Sequence, residues 1–380
     1  MPSVPPGVPR LGDHSPSWSR PVASPLHFHW FLPTSGDSHD IVSGGQARLA
    51  ADTSRPPDLG YLALVAKAAE RVGFAAVLTP TGTFCEDAWL TTAALLGETD
   101  RLKFLVAFRP GLLSPTLAAQ MAATYQRISG GRLALNVVTG GEGGEQRRFG
   151  DHLDHDKRYA RTAEFLDVVR GAWSGTPYTK RGEFFDVENA TVRAAPDPVP
   201  PIFFGGSSPA ALPVAARHAD TYLTWGEPPA AVAAKLDAVR TLAKDAGRQP
   251  TYGIRLHVIT RDTADEAWRV ARGLIARVPA AEIEAARRQF ARTESEGQRR
   301  MAALTTGDTL EVSPNLWAGF GLVRPGAGTA LVGSHAEVAA RIAEYQALGI
   351  DHFILSGQPH LEEAYRFGEN VLPLLTPGES

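Results

Sequence analysis

The chain has 380 residues, 43% of them hydrophobic and 21% charged, with a formal net charge of −3. A chain of that length can bury a large core. Its weak acidity, with no basic stripe among aromatics, argues against a nucleic-acid partner. No apolar run approaches a membrane span, and the single cysteine, Cys85, excludes an internal disulfide and suits a reducing, cytoplasmic compartment.

The first 25 residues hold Pro2, Pro5, Pro6, Pro9, Pro21 and Pro25 among several serines. They lack the basic-then-apolar pattern of a secretory signal and read as a disordered arm over 1–25, followed by one domain over 26–376. Leu26–Leu32 is the first strand. Leu59–Val72 has helical periodicity and stops at Gly73. Ala75–Thr79 is a short strand and Ala88–Leu96 a helix. Leu102–Phe108 is the third strand, followed by a helix over Pro115–Ile128. Arg132–Val138 is the fourth, followed by a glycine-rich loop and a helix over Arg158–Trp173. Tyr178–Val192 reads as a small antiparallel hairpin. Ile202–Phe204, the helix Pro209–His218, Asp220–Thr224 and the helix Pro229–Ala246 continue the alternation.

Tyr252–Ile259 is the seventh strand, and it carries Arg255 and His257. Residues two apart on a strand share a face, so this pair projects together from an apolar run. Burying a guanidinium demands something anionic opposite it, either a protein carboxylate or a ligand. Asp351–Leu355 is the eighth strand, before a closing helix from His360 to Leu372. Eight strands, each followed by a helix, predict an α/β fold of the (β/α)8 barrel type. Residues 262–348 interrupt the rhythm with two or three helices and a glycine-rich stretch over Glu311–Gly333 around Arg324, which reads as a lid or a linker. The charged run Glu282–Arg300 reads as a solvated helix face or subunit contact, and His39 and His155 as solvated loop residues.

Barrel chemistry sits at the C-terminal ends of the strands. That places Trp30, Thr34, Cys85, Arg109, Thr139, Gly206–Ser208, Trp225, Arg255, His257 and Gln358 around one mouth. Gly205, Gly206, Ser207 and Ser208 open a helix, which suits either a bound phosphate or an ordinary serine-capped turn. Asn136 is polar within an apolar strand and faces either the pocket or a structural partner. Cys85 has no nearby histidine in sequence to make it a nucleophile. No Cys/His spacing suggests a metal site.

Seven collinear segments carry a resemblance. They are Trp-Phe-Leu-Pro-Thr (30–34), Cys-Glu-Asp-Ala-Trp (85–89), Thr-Trp-Gly-Glu-Pro-Pro (224–229), Gly-Ile-Arg-Leu-His-Val (253–258), Ser-Pro-Asn-Leu-Trp-Ala-Gly (313–319), Gly-Ala-Gly-Thr-Ala-Leu-Val-Gly (326–333) and Pro-His-Leu-Glu-Glu-Ala-Tyr (359–365). Together they resemble the FMNH2-dependent alkanesulfonate monooxygenases of the bacterial luciferase-like superfamily, from about Phe28 to Leu375.

The resemblance implies a two-component system. An NAD(P)H-dependent FMN reductase supplies FMNH2, and the monooxygenase uses it with O2 to cleave an alkanesulfonate to aldehyde and sulfite. It also implies a homodimer or homotetramer. Arg255 suits a sulfonate because its fork is planar and always charged. The resemblance adds Arg324 as a second cation on lid closure, and places Cys85 beside the flavin and Thr139, Gly140 and Tyr159 in contact with it. His257 can donate a hydrogen bond or a proton, and Trp225 walls the pocket. Trp30 and Gln358 complete the expected substrate pocket.

Two positions depart from the family pattern. Gln358 stands where Tyr is usual, and Ser35 where His is common. An amide cannot donate a proton as a phenol can, so substrate preference is expected to differ. Another luciferase-like flavin enzyme acting on a different substrate, and a non-catalytic flavin-binding protein, are the competing readings.

Overall fold

A computed structural model describes residues 25–41 and 55–375. The expected arm over 1–25 therefore lies outside the described residues except for Pro25. In chain order the first half contains β1 (His27–Phe31), α1 (Leu59–Val72), β2 (Ala76–Thr79), α2 (Ala88–Leu95), β3 (Lys103–Phe108), α3 (Pro115–Ser129), β4 (Leu133–Val137), α4 (Gly143–Arg148) and α5 (His155–Ala172). There follow β5 (Tyr178–Arg181), β6 (Asp186–Ala190), β7 (Ile202–Gly205), α6 (Ala211–His218), β8 (Thr221–Trp225), α7 (Pro229–Asp245) and β9 (Thr251–Arg261). The last stretch holds α8 (Ala264–Ala276), α9 (Ala280–Phe290), α10 (Glu296–Ala303), β10 (Glu311–Ser313), β11 (Leu316–Trp317), β12 (Ala330–Ser334), α11 (His335–Ala347), β13 (His352–Ser356) and α12 (His360–Asn370).

Eight strands pair in parallel in the order β1-β2-β3-β4-β7-β8-β9-β13, and β13 pairs back onto β1. The sheet is closed: this is the (β/α)8 barrel that the alternation predicted. Helix boundaries follow local chemistry. Asp58 caps α1 by accepting from the Tyr61 N–H, and Gly73 ends it at φ 97°. Ser114 caps α3, with Pro115 in its first turn and Gly130 at φ 65° beyond its end.

Two apolar layers result. Inside the barrel, Leu78, Leu105, Ala134, Phe203 and Ile354 pack together. Between strands and helices, a larger layer includes Trp30, Phe74, Phe104, Phe165, Phe204, Phe353 and Phe367. Burying each such side chain is worth about 1.5–3 kcal/mol. The barrel floor is unusual in holding histidines. His29 and His352 meet at 3.0 Å, and both pack edge-on against Phe203. Burial holds both well below the ordinary histidine value, His352 at about 3.

Three expectations need correction here. The stretch Glu311–Gly333 is no unstructured lid: β10 and β11 form antiparallel ladders, β11 pairs β12, and β12 runs parallel to β9. Its glycines permit close packing. A Cβ on Gly328 would lie 2.6 Å from the Gly321 Cα, and one on Gly319 would lie 2.0 Å from the Trp317 ring. The second correction concerns the loop after β4, which contains the short helix α4. The third is that α5 begins at His155, three residues before the expected start, with Asp154 as its cap. The hairpin β5–β6 forms as predicted.

The eleven-residue strand β9 explains how insertion and barrel join. Its first half pairs with β8 through Arg255, and its second half pairs with β12 from His257 to Arg261. The insertion sheet is thus a continuation of the barrel wall.

Candidate active site

A cavity of about 460 Å³ opens at the C-terminal ends of the barrel strands, within the range of small-molecule sites. It has two unlike ends. On one side stand Arg255, His257 and Arg324; on the other, the loops after β3, β4 and β7.

Arg255 leaves β9 toward the cavity above the Phe31 ring, 4.8 Å from its centroid. Its Nη1 donates to the Leu256 carbonyl at 2.5 Å and its Nη2 to Ser356 Oγ at 2.9 Å. Ser356 Oγ lies 2.7 Å from His257 Nδ1, and His257 Nε2 lies 3.0 Å from the Ala327 carbonyl. A carbonyl only accepts, so Nε2 carries the hydrogen, Nδ1 accepts from the serine hydroxyl, and the serine oxygen accepts from Arg255. His257 also stacks on Phe320 at 4.0 Å. Burial, then Arg255 and Arg324, hold its pKa far below the ordinary value. Of the two expected roles, hydrogen-bond donor or proton donor, the ring makes the first within the fold: both of its nitrogens are engaged, and burial disfavours its charged form.

Arg324 reaches the same end from the loop before β12. Its Nε donates to the Ile41 carbonyl at 2.7 Å and its Nη2 to Gln358 Oε1 at 3.1 Å. Among the described residues, no carboxylate lies within 4.0 Å of either guanidinium. Burial pushes Arg255 down to about 9, with Arg324 adding to the effect, and Arg324 itself to about 10. The anion that Arg255 demands is therefore not supplied by a carboxylate of the described fold.

The opposite end is built from loops. Asn136, Thr139, Gly140, Tyr159, Gly206, Ser207 and Ser208 all line the cavity. Thr139 Oγ1 lies 3.3 Å from Thr162 Oγ1. Ser208 accepts from the Ala211 N–H through both its carbonyl and its hydroxyl, starting α6. A Cβ on Gly206 would lie 2.6 Å from the Ala211 Cβ and 3.1 Å from the Tyr159 hydroxyl, so only a bare backbone leaves that cradle open. Such a cradle, at a helix start beside a tyrosine and two serines, fits the phosphate of a flavin nucleotide. Burial raises the Tyr159 phenol to about 12, leaving it a neutral hydrogen-bonding group.

Beneath these loops Arg109 and Glu145 form a buried ion pair at 2.6 Å. Glu145 also accepts from the Thr83 N–H at 3.1 Å, tying α4 to the loop after β2. Glu145 was not legible in a glycine-rich stretch read as a loop.

Three expected pocket residues sit elsewhere. Trp30 is fully buried between strand and helix, packs on Phe74, and donates its indole N–H to the His360 carbonyl at 3.1 Å. Strand alternation puts His29 and Phe31 inside the barrel and Trp30 outside it. Gln358 lies behind Arg324 rather than on the cavity wall. Its Oε1 accepts from Arg324, and its Nε2 donates to the carbonyls of Ser38 and Asp40. Cys85 stands just behind Phe84, which lines the cavity. Its thiol is 3.6 Å from the Gly82 carbonyl, and burial raises it to about 11, which keeps it protonated and a poor nucleophile. Trp225 and Ser35 do line the cavity.

The insertion supplies a wall that the charge pattern hid. Phe290, Thr293, Glu296, Gly297 and Gln298 line the cavity, and Gly297 lies against the Trp225 ring. Glu294 pairs with the buried Arg158 at 2.7 Å, and Arg300 approaches Glu227 at 3.4 Å. The run Glu282–Arg300 is thus only partly a solvated face. His155, read as a solvated loop residue, also lines the cavity, edge-on to Tyr159. So does His360, whose Nδ1 meets Asp37 Oδ1 at 2.9 Å. Its place two residues after Gln358 was the available signal. Among the described residues, no group of three or more His, Cys, Asp or Glu side chains could hold a metal ion, and no helix is long and apolar enough to cross a membrane.

A closed parallel barrel with a cavity at its C-terminal mouth and an open glycine-serine turn at the start of α6 defines a (β/α)8 scaffold of the kind that carries its site at the strand ends. Residues 26–352 match the luciferase-like monooxygenase family, and the chain belongs to it. Similar solved structures include a riboflavin lyase (RcaE) with modified FMN and riboflavin, at 21% identity and TM-score 0.78 over 92% of this chain and 91% of that one. The EDTA monooxygenase EmoA from Chelativorans sp. BNC1 is similar at 21% identity and TM-score 0.73, over 92% and 93%. The long-chain alkane monooxygenase LadA is similar at 21% and 0.72, over 92% and 91%. At these identities the structural likeness concerns the fold.

Proposed function

We propose that this protein is the oxygenase of a two-component system that uses FMNH2 and O2 to cleave the C–S bond of alkanesulfonates. The observation that carries this reading is the pair of guanidiniums, Arg255 and Arg324, facing one cavity with no carboxylate against either among the described residues. A sulfonate is a permanent anion with three acceptor oxygens, and two planar forks suit it. An uncharged organosulfur substrate would leave both cations without a counter-charge.

The reaction balances as alkanesulfonate, O2 and FMNH2 giving aldehyde, hydrogen sulfite, FMN and water. The α-carbon is oxidised, and the C–S electron pair leaves with sulfur. Reduced FMN, when bound, supplies the two electrons that activate O2. An NAD(P)H-dependent reductase would provide it. Gly206, Ser207, Ser208 and Tyr159 would hold its phosphate, while Thr139, Gly140 and Asn136 line its approach.

The remaining work belongs to side chains at the other end. Arg255 and Arg324 orient the sulfonate and stabilise charge accumulating on the departing sulfite. His257 holds the Ala327 carbonyl and, through Ser356, the Arg255 fork. Trp225, packed on Gly297, excludes water. The test is sulfite release: the protein with FMN, NADH, a generic flavin reductase and air, against methane-, ethane- and octanesulfonate. Sulfite above the reductase-only control supports the reading. Tight binding of reduced FMN without sulfite from any of the three would reject it.

A further inference from the structure

We infer that Gln358 is a positioning residue that keeps Arg324 oriented and uncompensated, so that its charge is available to an anionic substrate. This rests on the alkanesulfonate reading above and adds a residue to it.

The amide is locked in one orientation. Its Nε2 faces the carbonyls of Ser38 and Asp40, which only accept, so its oxygen must be the atom facing the Arg324 guanidinium. Together with the Ile41 carbonyl on Nε, this fixes the plane of the fork with neutral acceptors alone. Nη1 makes no hydrogen bond among the described residues and is left toward the cavity that Arg324 lines.

The surrounding acids are already committed. Asp37, which attracts Arg324 from a distance, uses Oδ1 for the Ser38 N–H and His360 Nδ1, and Oδ2 for the Tyr61 hydroxyl and the His360 N–H. Glu362 is held by Arg55, and Glu363 by Arg261 and Arg366. A carboxylate at position 358 would be nearly isosteric with the amide yet would neutralise the cation. The choice of amide over acid is thus a choice to orient Arg324 without cancelling its charge.

The experiment measures binding to the full-length protein saturated with anaerobically reduced FMN. Octanesulfonate is titrated beside octanesulfonamide, its uncharged counterpart. For Gln358→Glu the sulfonate should bind about 100-fold more weakly, while the sulfonamide changes less than about threefold. Gln358→Leu, which removes the bracket without adding charge, should weaken the sulfonate by about tenfold. Affinity for reduced FMN should stay within about twofold in both. Equal losses for sulfonate and sulfonamide would indicate structural damage and overturn the inference, as would wild-type sulfonate affinity in Gln358→Glu. Should Gln358→Glu not fold, unchanged sulfonate binding by Gln358→Leu overturns it alone. Wild-type protein that binds reduced FMN but no octanesulfonate would overturn the underlying reading as well, and the two failures are told apart by the wild-type titration.

Discussion

The two ends of the cavity bury arginines in opposite ways. Arg109 meets Glu145 at 2.6 Å, and both are almost inaccessible. Arg255 and Arg324 meet carbonyls, a serine and an amide, with no carboxylate among the described residues within ion-pair distance. A buried charge whose partner is in the chain holds loops together. One without such a partner is costly to the fold and is kept where a ligand provides the counter-charge. The contrast sets a cation satisfied by the chain apart from two whose counter-charge, in the proposed reading, comes from a ligand.

The largest effect that could break this distinction is on stability. Glu145→Gln strands the buried Arg109 and should cost about 3–5 kcal/mol in urea unfolding. A loss below about 1 kcal/mol would mean that the pair is not structural. Arg255→Met should do the reverse: unfolding free energy within about 1 kcal/mol of wild type or higher, and kcat/KM for octanesulfonate reduced about 100- to 1,000-fold. A stability loss as large as that of Glu145→Gln would erase the contrast.

Between these extremes stands the proposed phosphate cradle. Gly206→Ala places a methyl 2.6 Å from the Ala211 Cβ and should weaken reduced FMN about tenfold in fluorescence titration, with little change in sulfonate preference. Unaltered FMN affinity would move the phosphate elsewhere.

The effect that is smallest at neutral pH concerns the floor, where the fold avoids buried charge. His29 and His352 are depressed by burial, so below about pH 6.5 the unfolded chain takes up protons that the folded chain refuses. Stability should be insensitive to these groups above that pH. It should fall as pH drops toward 3, where His352 itself charges, by about 2 kcal/mol for each of the two at pH 5. His352→Phe should flatten that slope. An unchanged slope would show that another group dominates.

Much of this was readable beforehand because parallel strands are apolar throughout and their ends are where polar residues intrude. Arg255 and His257 stood out on that ground, and the demand for an anion opposite, in the chain or in a ligand, came from the cost of burying a guanidinium. Trp30 could have been placed by alternation against His29 and Phe31. Gln358 could not: its partners are carbonyls of Ser38 and Asp40, more than three hundred positions away, and side-chain identity does not encode which backbone it meets. Glu145 hid in glycine-rich sequence, and the wall from Phe290 to Gln298 hid in a charge pattern that also describes a solvent-facing helix.

The shared strand β9 has a consequence for how such a pocket can diverge. Arg255 stands on its barrel half, and the loop bearing Arg324 runs into β12, which is laddered to its other half. The backbones that carry the two cations are therefore spaced by strand register, like marks on a ruler, while the pose of each fork is set by its side-chain and carbonyl partners. In the proposed reading, variation in substrate size then accumulates on the facing wall, in the insertion from Phe290 to Gln298, over a backbone that stays fixed at the other end.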